Sequence, residues 1–206
     1  SQGQAIYSNL VEMSGRLAFP VRDELLGKLG ELSAQGIDEA AARQAAAWSG
    51  VIIAKRLYQA LRERGIDQSR CKILIASLRI YYGEHYQALP NAFPDITEIT
   101  GARLLSVFPN VRYAYDHAAP IDIQPQQIEA ALPGGGLDVL AHSEIFKQAY
   151  YLPGDEARFR PQHELTLQDE PGTFAWQPVY NTLTEFIKSY NTLVHRITER
   201  KAQLMG

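Results

Sequence analysis

Residues 71–79, Cys-Lys-Ile-Leu-Ile-Ala-Ser-Leu-Arg, restrict the fold more than any other stretch of the chain. Positions 73–78 hold five apolar residues in six, rich in β-branched side chains, between polar neighbours. A run this short and apolar predicts a strand buried on both faces, the kind found in parallel sheets layered under helices. Polar groups gather only at its end, and α/β folds seat ligands at the C-terminal ends of parallel strands. Ser77 and Arg79 are therefore candidate anion-binding residues. The guanidinium is a fork of donors suited to phosphate or carboxylate, and the hydroxyl lies two residues away on the same strand face. A surface arginine at a strand end is the competing reading.

Helical patterns surround this strand. Residues 1–17 carry Ile6, Leu10, Val11, Met13 and Leu17 at loosely helical spacing, and Pro20 predicts an interruption, with a new helix through Val21, Leu25, Leu26, Leu29 and Leu32 that Gly36 ends. Asp38 is placed to cap a long alanine-rich helix from Ala40 to Leu61, with Trp48, Val51, Ile52, Leu57 and Leu61 on its buried side and Gly65 as its stop. Downstream of Arg79, residues 80–94 read as a long aromatic loop and residues 95–100 as a helical turn. Residues 103–108 follow as a second buried strand stopped by Pro109, which completes one parallel strand–crossover–strand unit. Residues 113–122 are mixed, and 124–132 carry a short helical pattern. Asp138 can cap a helix through Leu140, Ile145, Phe146 and Ala149, residues 153–173 read as an irregular excursion, and a final helix over 178–201 has an apolar stripe suited to bracing a core.

Composition excludes several classes. With 46% hydrophobic and 21% charged residues and a net charge of -3, the 206-residue chain is of ordinary globular type and is expected to form a single domain over 1–206. Its basic residues are interspersed with acidic ones, so neither nucleic acid nor a membrane surface is an expected partner. No apolar run approaches a membrane span, and the single Cys71 has no disulfide partner, which fits a cytoplasmic setting.

Motifs for metal or nucleophilic chemistry are weak. His85, His117, His142, His163 and His195 are scattered and lack metal-ligand spacing. Ser77 and Ser106 lie outside any GxSxG elbow, and Asp116-His117 are adjacent residues that point in different directions. Gly134-Gly135-Gly136 is followed by Leu137-Asp138 rather than by the lysine and hydroxyl residue of a phosphate loop, so it reads as a flexible hinge.

The run Ile75-Ala76-Ser77-Leu78-Arg79 leads on to Ile99-Thr100-Gly101-Ala102-Arg103-Leu104-Leu105-Ser106, and Phe174-Ala175-Trp176-Gln177 precedes the last helix. Together these segments resemble the C-terminal part of transaldolases, over about residues 54–201. The resemblance implies a helix-rich α/β fold, a partial (β/α) barrel of transaldolase type closed by a long C-terminal helix. It implies that Ser77 and Arg79 bind the phosphate of a ketose or aldose phosphate, with Arg22 in Phe19-Pro20-Val21-Arg22 as a second phosphate arginine, and no metal or other cofactor. The chain departs from the pattern at Leu78, where the family has phenylalanine, and in the insertion at 81–94. It also lacks the strand that carries the family's Schiff-base lysine: Lys72 lies at the wrong end of its strand and Lys147 on a helix. A complementing N-terminal portion would have to supply that lysine, and another chain would have to cover the open sheet edge, since barrel closure takes about eight strands. A non-catalytic helical assembly or regulatory subunit is the alternative.

Overall fold

Two apolar segments far apart in the chain, β1 (Asn9–Met13) and β2 (Lys72–Ala76), pair in parallel in a computed structural model that describes residues 9–131, 136–150 and 177–205. A third strand, β3 (Leu104–Leu105), pairs in parallel with β2 on its other side, giving the order β1-β2-β3. The chain divides into two compact units, Ser1–Arg160 and Pro161–Gly206. The sheet belongs to the first.

Helices fill the crossover between β1 and β2. Helix α1 (Ser14–Gly27) follows β1 directly, then come α2 (Leu29–Ser33) and α3 (Glu39–Glu63). Asp38 caps α3 as its sequence position predicts, accepting the Ala41 amide at 2.7 Å, and Gly65 leaves the helix with φ +65°. Val51, Ala54, Tyr58 and Leu61 of α3 pack on Ile73 and Ile75 of β2, with Leu10 of β1 partly buried beside them. Small residues bring α1 close to α3: a Cβ on Gly50 would lie 2.6 Å from that of Ser14.

After β2 the chain makes a long excursion through a 3-10 turn at Glu84–Tyr86 to α4 (Pro94–Thr97), and then to β3. Rings hold this loop in place: Tyr81 lies 5.4 Å from Tyr86, and Phe93 meets Tyr115 edge-on at 5.2 Å. Helices α5 (Pro109–Asp116), α6 (Leu137–Leu140) and α7 (Glu144–Tyr150) complete the described part of the first unit. The second unit is described as one helix, α8 (Gln177–Met205), whose Phe186, Ile187, Tyr190, Leu193 and Ile197 are exposed. No helix among the described residues is long and apolar enough to cross a membrane.

Several local expectations are corrected. Residues 9–13 form a strand rather than a helix, and Pro20 lies inside α1 instead of starting a new helix. Proline removes one backbone hydrogen bond there, but Leu17, Ala18, Val21 and Leu25 are buried on both sides of it, and that packing holds the helix together. The second strand is two residues long and exposed, with Leu104 at 40% and Leu105 at 38%, because it is an edge strand. Its ladder is extended by the Ser106 amide, which donates to the Ile75 carbonyl at 2.9 Å. The strand ends short of Pro109, which instead begins α5, a helix that runs into the residues expected to be mixed. The helix expected from Asp138 to Ala149 is two helices, broken where Ser143 caps α7 by accepting the Phe146 amide at 3.0 Å. The expected excursion over 153–173, His163 and most of the glycine hinge lie outside the described residues, although Gly136 has φ +98°.

Candidate functional site

Both polar groups picked from the end of the β2 segment lie at the C-terminal end of the sheet. Ser77 is the first residue past β2 and takes the left-handed conformation, φ +62°. That conformation is uncommon for a residue with a Cβ and turns the chain away from the strand direction. The Ser77 carbonyl accepts the Gly15 amide at 3.1 Å, which joins the end of β2 to the first turn of α1. Gly15 is required at that junction, because a Cβ there would overlap the Ser77 carbonyl and the Cγ and Nε of Arg79.

Arg79 thus runs across the N-terminal turn of α1. Its guanidinium lies 5.0 Å from the Phe19 ring on α1 and 5.7 Å from the Phe108 ring just before α5, so two aromatic faces flank it. Its Nε and the Ser77 Oγ are buried and have no hydrogen-bond partner among the described residues. Ser77 as a whole is only 3% exposed. Buried polar atoms are normally satisfied, so these two orphans, at the junction where the first turn of a fourteen-residue helix meets the end of β2, are the candidates to hold an acceptor group.

Arg22, the second expected phosphate residue, lies about one turn after Phe19 on α1, with its guanidinium 4.9 Å from that ring. Phe19 therefore touches both arginines. Arg22 is also paired with Asp23 at 2.7 Å, which offsets its charge.

Two carboxyls that sequence reasoning missed lie behind the site. Glu12 on β1 accepts the Ser14 hydroxyl at 2.7 Å and is only 7% exposed. Burial pushes its pKa up to about 8, against the Ser14 hydrogen bond, and Asp95 nearby pushes the same way. Asp95 on α4 is fully buried. Its Oδ2 accepts the Arg79 amide at 2.9 Å and the Tyr81 hydroxyl at 3.5 Å, while Oδ1 has no partner among the described residues. Burial raises its pKa to about 7, opposed by the Arg79 amide and guanidinium. The available signals were slight: Leu10-Val11-Glu12-Met13 is a strand-like run ending at Ser14-Gly15, and Asp95 reads as an ordinary first-turn acid after Pro94.

Lysines in the first unit are committed elsewhere. Lys72 opens β2, at the end opposite Arg79. Lys28 donates to Glu24 and to the His142 carbonyl, and Lys147 pairs with Glu144. Lys55 is buried on α3, and desolvation lowers its pKa, but its Nζ donates to the Gln127 carbonyl at 2.6 Å and so ties α3 to the loop before α6. Among the described residues no cluster of histidine, cysteine and carboxylate side chains could hold a metal ion. No family model, no curated protein and no solved structure matches the chain.

Proposed function

We propose that the first unit is the phosphate-binding part of a transaldolase-like protein acting in sugar-phosphate metabolism. The observation that supports this most is the pair of buried, unpartnered groups at the end of β2, Ser77 Oγ and Arg79 Nε, beside the first turn of α1. A phosphate oxygen placed there would accept from the arginine fork and the hydroxyl in the positive field of the helix end.

The sheet also supports a larger assembly. Val11, Leu74 and Leu104 align across the three strands on the face away from α3, and Val11 is 61% exposed. Parallel sheets are ordinarily covered on both faces. In this reading further strands of a partial (β/α) barrel, from an N-terminal portion or another chain, cover that face and bring the Schiff-base lysine that the first unit does not place near Arg79. The exposed apolar stripe of α8 favours a second reading, a non-catalytic assembly subunit whose helix packs on a partner.

Borohydride trapping separates the two. The chain is incubated with fructose 6-phosphate, reduced and weighed, alone and with a candidate complementing portion. A covalent adduct that appears only in the complemented sample supports the enzyme reading. If fructose 6-phosphate does not bind at all, or if Arg79→Ala binds it as well as the unaltered chain, the phosphate assignment is lost and the assembly reading stands.

A further inference from the structure

Glu12 and Asp95 are two acids buried at one end of one sheet, and among the described residues neither has an ion-pair partner. Glu12 shares a strand face with Leu10, the face on which α3 packs, so its carboxyl is among apolar groups. Asp95 holds the Arg79 backbone, yet the Arg79 Nε has no acceptor among the described residues. An anion bound by that guanidinium would add negative charge beside Asp95, which lies near the Glu12 carboxyl, in a poorly screened setting where like charges repel strongly.

We propose that Glu12 and Asp95 belong to the anion site as a proton-holding carboxyl pair, so that an anion bound at Arg79 enters together with a proton. The inference rests on the reading of Arg79 as an anion-binding residue and adds the chemistry of what the site takes up. Burial already favours the neutral form of each acid, and Asp95 nearby pushes Glu12 the same way. Both acids change charge near neutral pH, so a dianion nearby has protons within reach to recruit. The charged and titratable groups facing the pair are few. Arg79 and Tyr81 come from the segment after β2, α1 contributes the Ser14 hydroxyl, and Tyr86 lies behind Tyr81. Lys55 of α3 has Glu98 as its electrostatic neighbour rather than either member of the pair.

Sulfate is the probe, because it stays dianionic from pH 6 to 9 and any pH dependence belongs to the protein. Calorimetric titration of the full chain in buffers of different ionisation enthalpy reads affinity and proton uptake together. The expected result is uptake of a proton at pH 7.5 and an affinity that falls on the order of tenfold between pH 6 and 9, a moderate site-to-site coupling. Glu12→Gln and Asp95→Asn should each flatten the profile and lower the proton count, and Arg79→Ala should abolish binding. The proton count on the unaltered chain decides the matter even if a variant fails to fold. Sulfate binding that needs Arg79 but takes up no proton and is flat with pH overturns the carboxyl pair alone. No sulfate binding at any pH, or binding that survives Arg79→Ala, overturns the anion site and this inference with it.

Discussion

The amide of Gly15 donates to the carbonyl of Ser77 at 3.1 Å, and this one bond sets the first turn of α1 against the end of β2. Gly15→Ala tests how closely the two must approach. The added methyl has no free direction, since the Ser77 carbonyl and the Arg79 side chain occupy its place. Overpacking of this kind should destabilise the chain by about 2 kcal/mol, read from urea unfolding, and weaken sulfate binding because Arg79 is displaced. An unchanged midpoint would show that the junction is looser than described.

Ser77 itself can be probed through its backbone. Glycine adopts φ +62° freely, so Ser77→Gly should leave the fold at least as stable, whereas Ser77→Val should destabilise it by about 2 kcal/mol. If the hydroxyl binds the anion, Ser77→Gly should still lose several-fold in sulfate affinity, a separation of stability from binding that calorimetry and urea unfolding together would reveal.

The two buried acids carry a definite pH signature. With folded pKa values of about 8 for Glu12 and about 7 for Asp95, both above their ordinary values, the folded chain binds more protons than the unfolded one across the intervening range. Their contribution to stability is therefore complete at pH 4 and is lost as pH rises toward 8. Unfolding midpoints measured from pH 5 to 8.5 should fall, and Glu12→Gln should reduce the slope. A midpoint that rises over this range in the unaltered chain but not in Glu12→Gln would show that Glu12 is ionised in the fold.

Glu24 should behave in the opposite sense. Burial pushes its carboxyl up, but hydrogen bonds from Lys28, Ser143 and the amides of Glu144 and Ile145 together bring it below the ordinary range. It joins α1 to the start of α7, and its stabilising effect is present above its unfolded pKa and lost as pH falls. Glu24→Gln should destabilise the chain by about 2 kcal/mol at pH 7 and by less at pH 3, since hydrogen bonds to a charged acceptor contribute roughly 1.5–3 kcal/mol each. Equal losses at both pH values would exclude the charge as the cause.

Much of the architecture near β2 was legible from local pattern. The apolar run at 73–76, the Asp38 cap and the Gly65 stop each depend on a few adjacent residues whose preferences agree with the fold. Elements that depend on distant partners were not. Residues 9–13 carry apolar side chains compatible with either period, and only pairing with β2 selects a strand. Pro20 argued locally for a break, while burial across the α1–α3 contact overrides it. The site was half visible for the same reason: Ser77 and Arg79 follow the strand directly, but Gly15, Glu12 and Asp95 reach them only through the parallel pairing and the long loop.

The row of Val11, Leu74 and Leu104 also bears on how the chain behaves at high concentration. Among the described residues β1 and β3 are both edges, so each presents backbone donors and acceptors that another strand can pair. Purified alone, the chain should self-associate as its concentration rises, and a lysine at Val11 should suppress that association without touching the interior on which α3 rests.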